Sequence, residues 1–174
     1  MGMDLIPRND IEGFHANWSG WGRIQVLLEY LGCNLKNLDG SNDGRLVPKR
    51  HARAWGRAVQ KALKGGLVVA RIRSAMYEEG ERHFLIPVSK KDEFKESVKR
   101  IEAGGPPTDL VGVYLAMDLH FGRKDGKKYS QLDLWEKKPK ESRFLGFKDL
   151  DPTWTAYIGE FAEFCIKSGG FEQC

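Results

Sequence analysis

The stretch 13–44 constrains the fold more than any other segment, because it joins a capped amphipathic helix to a turn-rich loop. Ser19 is a natural N-cap, since its hydroxyl can accept a hydrogen bond from a backbone N–H of the first helical turn. The residues after it follow helical spacing on one apolar stripe: Trp21, Ile24, Leu27, Leu28 and Leu31. Gly32 suits the left-handed position that ends a helix. The sequence therefore predicts a first helix that buries Trp21 against the last helix of the chain.

Two glycines, Gly20 and Gly22, stand in the first turn of this predicted helix. A glycine inside a helix costs roughly 1 kcal/mol relative to alanine. That cost predicts a close approach of the backbone at this point to Trp18, to another element or to a ligand.

Three motifs resemble those of a group of small, uncharacterised bacterial and phage proteins. They are NWSGW from Asn17, NDG from Asn42, and FxxFCxxSGGF from Phe161. The resemblance implies no known activity, but it implies an accessory role, of which inhibition of a host defence complex is one form. Relatives in this group carry cysteine pairs that look like zinc ligands. This chain has no cysteine between Asn34 and Phe164, so a zinc site is not carried over.

The composition is that of an ordinary soluble globule. The chain has 174 residues, of which 41% are hydrophobic and 30% charged, so one domain over residues 1–174 is expected. No apolar run reaches the roughly 18 residues of a membrane span. Three cysteines are too few and too scattered for a disulfide framework, which predicts a reducing, cytoplasmic location.

The remaining pattern predicts alternating helices and hairpins. Residues 1–11 are expected to be irregular or briefly extended, and a second helix is predicted over residues 48–63, with Pro48 in its first position. Residues 67–88 are typical of a hairpin, although the first half is also compatible with a helix. Ser89 and Asp92 form a capping box for a charged helix over residues 90–103.

In the second half, residues 111–121 alternate strictly between two faces, which predicts a strand. The Asp-Gly pair within residues 124–127 suits a hairpin turn, and residues 129–135 are expected to return as the partner strand. A last helix is predicted with Asp151 as N-cap and Pro152 in its first position. It should end at Gly169, with Phe171 folding back onto it. The predicted class is α+β, with a small antiparallel sheet of hairpins packed against N- and C-terminal helices.

One charge pattern predicts a binding surface. Cations recur every three or four residues along the second helix and so share one face: Arg50, Arg53, Arg57, Lys61 and Lys64. With the neighbouring aromatic loop at His15 and Trp18, this face predicts a non-catalytic binding protein for an anionic partner: nucleic acid, a nucleotide or an acidic protein surface. The alternative is a solvated face balanced by Asp43 or Glu78. The net charge of +4 permits such a partner without requiring one.

An alternative function is a metal-dependent hydrolase. On a strand, Asp118 and His120 would project to the same face, and Asp133 on the partner strand could complete a cluster. The loop that begins at Asp39 resembles the opening of a calcium loop. Arg50 occupies the twelfth position, where a glutamate is required. No cofactor is therefore expected, and the sequence carries no serine-nucleophile motif or phosphate-binding glycine loop.

Overall fold

The computed structural model describes residues 2–36, 44–73, 80–122 and 143–174, with Trp18, Ser19 and residues 118–122 described by their backbone only. In chain order the elements are β1 (Gly2–Pro7), β2 (Phe14–Asn17), α1 (Trp18–Tyr30), β3 (Arg45–Pro48), α2 (Lys49–Gly65), β4 (Leu67–Arg73), β5 (Glu81–Pro87), α3 (Lys91–Glu102), α4 (Leu110–Gly122), β6 (Arg143–Asp149), α5 (Pro152–Lys167) and β7 (Gly170–Gln173). They form two compact units, Met1–Leu67 with Asp149–Cys174, and Val68–Lys148. The single domain expected over residues 1–174 stays a prediction.

The predicted α+β class, with a small antiparallel sheet and packed terminal helices, is confirmed, and the described residues form two such sheets rather than one. The first unit has a four-stranded antiparallel sheet in the order β2-β1-β7-β3. Strand β1, expected as an irregular or briefly extended lead-in, lies inside this sheet, between β2 and the last strand of the chain, β7. Leu5 lies opposite Phe14 on one side and opposite Gln173 on the other.

Helix α1 begins at Trp18, one residue before the predicted cap. Asn17 is the N-cap rather than Ser19, because Asn17 is the last extended residue and its Oδ1 accepts a hydrogen bond of 2.7 Å from the Gly20 N–H. Gly32 takes the predicted left-handed conformation, with φ 70°. The burial of Trp21 is confirmed: its side chain is 2% exposed, and its ring lies edge-on to Phe161 of α5 at 6.4 Å.

Helix α2 packs directly onto α5. Pro48 is the residue before the first turn rather than the first helical residue. At the centre of the contact, a Cβ on Gly56 would lie 2.5 Å from the Ala162 carbonyl oxygen and 2.7 Å from Cγ1 of Ile166. Since real Cβ atoms do not approach so closely, only glycine permits this helix separation.

The C-terminal helix follows its sequence signals. The Asp151 carboxylate accepts the Trp154 N–H at 3.0 Å, and Pro152 is the first helical residue, so both predictions are confirmed. Beyond the helix, Phe171 returns as part of β7, and its ring lies 5.3 Å from that of Phe164.

The second unit has a three-stranded sheet in the order β5-β4-β6, which confirms the hairpin over residues 67–88. Helix α3 buries its predicted apolar side, Phe94, Val98 and Ile101. The capping box at Ser89 was wrong, because residues 88–90 form a short 3-10 turn and α3 begins without a side-chain cap.

The predicted strand over residues 111–121 was wrong: these residues form helix α4. The stretch is apolar on nearly every side, so its sequence fits the helical period as well as the strand period. Val111 and Leu115 are buried, whereas Val113 and Met117 are exposed. Asp109 starts the helix by accepting the Gly112 N–H at 2.6 Å. The turn over residues 124–127 and the strand over residues 129–135 lie outside the described residues.

Replacing Gly56 with alanine should destabilise the first unit. The added Cβ would push α2 from α5, and overpacking typically costs about 1–3 kcal/mol, more than the gain in helix propensity of about 1 kcal/mol. Chemical unfolding of the two proteins would measure the difference.

The matched control is Gly159→Ala in α5, where an added Cβ meets nothing within 4 Å. The free energy of unfolding of this variant should rise by about 0.5–1 kcal/mol, because the gain in helix propensity is not offset by overpacking. Stabilisation by both substitutions would contradict the close packing at Gly56.

Trp21→Ala should lower the free energy of unfolding by about 3–5 kcal/mol, the usual cost of removing a large buried aromatic side chain. Thermal and urea unfolding would test this. A wild-type melting temperature would show that the indole does not belong to the core.

Candidate functional site

The five predicted cations form one exposed row on α2, here called the basic face. Its members are Arg50, Arg53, Arg57, Lys61 and Lys64, all of them exposed. At 3.6 residues per turn they fall within an arc of about 80°, and at 1.5 Å per residue the row is about 21 Å long. Neighbouring members are thus about 4.5–6 Å apart along the helix axis.

The core of the first unit holds the basic face in place. The opposite side of α2 is buried: Ala52, Trp55, Gly56, Val59 and Ala62. The Trp55 ring lies 6.0 Å from that of Phe171 in β7. Because one side of α2 is packed against the core along its length, the helix cannot rotate, and the cations point away from the core.

The basic face has no internal counter-charge in the part of the chain that the structure describes. None of its five members forms an ion pair or hydrogen bond there, and the sequence has no Asp or Glu between Gly44 and Tyr77. The suggested balancing residues, Asp43 and Glu78, lie outside the described residues. The six cations of α2 exceed the net charge of +4 of the whole chain.

Arg71 is a contrasting case, a cation of the second unit that is neutralised by an ion pair. Arg71 on β4 makes a bidentate pair with Glu81 on β5, at 2.6 and 2.9 Å. The hydrogen bond from Arg71, followed by that from His83, lowers the pKa of Glu81 to about 2. Arg71 is therefore a cross-strand partner rather than an extension of a basic surface.

The structure places His15 on β2, where its Nδ1 lies 2.5 Å from the carboxylate of Asp4 on β1. The sheet places this carboxylate directly opposite the imidazole, because Asp4 and His15 are register partners in the pair of strands. Strand β2 and strand β3, which leads into α2, are the two opposite edges of the sheet. Trp18 opens α1, and its side chain lies outside the description. Binding by His15 and Trp18 stays a prediction.

The hydrolase alternative loses its geometric basis. Asp118 and His120 belong to helix α4, in which residues two apart do not share a face. Asp133 lies outside the described residues, as do the first five residues of the loop that begins at Asp39. Within the described ranges, no three His, Cys, Asp or Glu side chains are grouped to hold a metal ion.

A second cluster was missed by sequence reasoning. The Arg23 guanidinium carbon lies 4.5 Å from the centre of the Trp154 ring, and Tyr157 packs edge-on to Trp154 at 5.4 Å. A Cβ on Gly20 would lie 3.1 Å from the Tyr157 hydroxyl. The only sign of this cluster in the sequence was the glycine at position 20, which is unfavourable in a helix. The other members lie on helices α1 and α5, which are far apart in the sequence.

No protein-family model, curated protein or solved structure matches this chain. Over the described residues, none of the helices combines the length and the apolar character needed to cross a lipid bilayer. The cytoplasmic location stays a prediction. The candidate function therefore depends on the geometry of the chain itself.

Arg57→Glu should stabilise the fold, since repulsion among the cations of the basic face destabilises α2. Like charges lie four residues apart at Arg53, Arg57 and Lys61, and the first turn of α2 has no acidic residue. The substitution converts two repulsive pairs into attractive ones, a gain of about 0.5–1 kcal/mol. Urea unfolding at low salt would measure it.

Arg57→Gln is the control, because it removes the repulsion without adding attraction and should give a smaller gain. A loss of stability in both variants would show that Arg57 has a structural partner.

Proposed function

We propose that this chain is a non-catalytic binding protein whose basic face binds nucleic acid through its phosphates. The observation that carries the proposal is the row of five exposed cations on α2, none of which has a partner among the described residues. A row of this kind neutralises phosphates and releases their counterions, which is the main source of sequence-independent affinity for nucleic acid.

The composition of this surface favours nucleic acid over an acidic protein. Protein interfaces depend on aromatic or aliphatic anchors at their centre. The exposed residues of α2 outside the basic face are Lys49, Ala54, Gln60 and Gly65, none of which is such an anchor. Charge is thus the dominant attraction that this surface offers, and phosphates are the partner it suits.

The width of the row favours contact with a single strand of phosphates. A helix that recognises bases in the major groove needs polar side chains along the centre of its exposed face, where they can hydrogen-bond to base edges. Its cations lie towards the flanks of that face, near the phosphates. On α2 the cations themselves occupy the centre, within an arc of about 80°. The proposed contact is therefore independent of sequence and open to single strands as well as duplexes.

An accessory role, including inhibition of a host defence complex, follows from the sequence resemblance alone and stays a prediction. Binding of nucleic acid by the basic face can be tested without knowing that role.

Changing Arg53 and Arg57 together to Glu should weaken nucleic-acid binding sharply, because two attractive charges become repulsive. For the wild type, the slope of log K against log salt should approach about −4.5 with duplex DNA, or −3.5 with a single strand, if all five cations contact phosphates. Fluorescence anisotropy at several salt concentrations would measure both quantities.

The control is Arg8→Glu with Lys36→Glu, two exposed cations outside α2 in the same unit. It changes the net charge equally and should leave most of the affinity intact. Equal weakening by both pairs would show that net charge, rather than the basic face, attracts the partner.

A further inference from the structure

The basic face is a straight, narrow row. From Arg50 to Lys64 its members advance along the axis of α2 in steps of about 4.5–6 Å, and they stay within an arc of about 80°. On a helix about 10–12 Å in diameter, that arc makes the row about 7 Å wide. The sixth cation of the helix, Lys49, lies about 80° from the midline of the row. The row, about 21 Å long, is thus about three times as long as it is wide.

Duplex DNA matches only part of such a row. Each strand completes one turn in about 10–10.5 base pairs, so five successive phosphates spread over about 140° around the duplex axis. A straight row can therefore follow one strand for only about two or three phosphates. The row is also too narrow to join the two strands across the major groove, which is about 12 Å wide. The strands that border the minor groove wind away from a straight row in the same manner.

A single strand can follow the whole row. Its backbone is free to straighten, so successive phosphates can each reach one cation without the curvature that a duplex imposes. The surface beside the row adds no ring on which a base could stack. The exposed residues there are Lys49, Ala54, Gln60 and Gly65, and α2 lies entirely within the described part of the chain. The attraction therefore depends on how many phosphates the row can contact at once.

Building on the function proposed above, we propose that the basic face binds single-stranded nucleic acid in an extended form. About one phosphate lies on each of its five cations, from Arg50 at one end to Lys64 at the other. A duplex binds through part of the row only. The substrate class of the site is therefore a single strand, and its length is about five nucleotides.

The test compares labelled oligothymidine with a DNA duplex of equal length, by fluorescence anisotropy at several salt concentrations. The slope of log K against log salt should be about −3.5 for the single strand, from five contacts of about 0.7 each. For the duplex it should be about −2 to −3, from two or three contacts of about 0.9 each. A single-strand slope no steeper than the duplex slope would overturn the proposal and leave the proposed function intact. Failure of both to bind would refute the proposed function itself.

The length of the strand gives a second measurement. The affinity for oligothymidine should rise steeply up to about five nucleotides, the number of cations in the row, and only slowly in longer strands. A rise that stays steep well beyond this length would show contacts outside the basic face and would contradict the proposed site.

Single substitutions identify the cations that the strand contacts. Neutralising any one member of the basic face with glutamine should make the single-strand slope less steep by about 0.7. Arg8→Gln is the control, because Arg8 is an exposed cation of the same unit outside α2 and should leave the slope unchanged. An unchanged slope in both Arg50→Gln and Lys64→Gln would show that the strand does not follow the whole row, which would overturn the proposal. If a variant fails to fold, the two wild-type slopes still decide.

Discussion

The close contact of α2 with α5 at Gly56 governs the first unit. With no side chain at this position, the helix backbone lies against the Ala162 carbonyl, and the apolar side of α2 is sealed along its length. The sheet also sets the relative direction of the two helices. Pro48, just before α2, lies opposite Gly170, just after α5. The two helices therefore run antiparallel. Since burial is confined to one side of α2, every member of the basic face emerges on the other.

The sequence predicted the elements that depend on neighbouring residues in the chain. Helices α1, α2, α3 and α5 were expected from periodicity, caps and glycine stops, and the β4–β5 hairpin from its composition. Helix α4 was mistaken for a strand, because a stretch apolar on nearly every side fits either period. Strand β1 was missed for a different reason. Its partner β7 is at the other end of the chain, and no local pattern reports such a pairing.

The same distinction separates the basic face from the cluster at Arg23. The basic face could be predicted because its cations follow one another on a single helix, where spacing fixes direction. Their lack of counter-charges among the described residues was a structural finding. The cluster at Arg23 joins α1 to Trp154 and Tyr157 on α5, and only packing brings these residues together. Gly20 indicated a close approach, but the sequence did not show what approached it.

Solvation gives the two clusters different physical behaviour. The basic face is exposed, so its attraction for phosphates arises largely from counterion release and is screened within about 10 Å at 0.1 M salt. Arg23 is partly desolvated, and charges in such surroundings are screened much less. Rising salt should therefore weaken the field of the basic face more than the field of Arg23. The two clusters thus differ in kind: the basic face offers accumulated charge along a helix, whereas Arg23 is a single charge held in one orientation by the Trp154 ring.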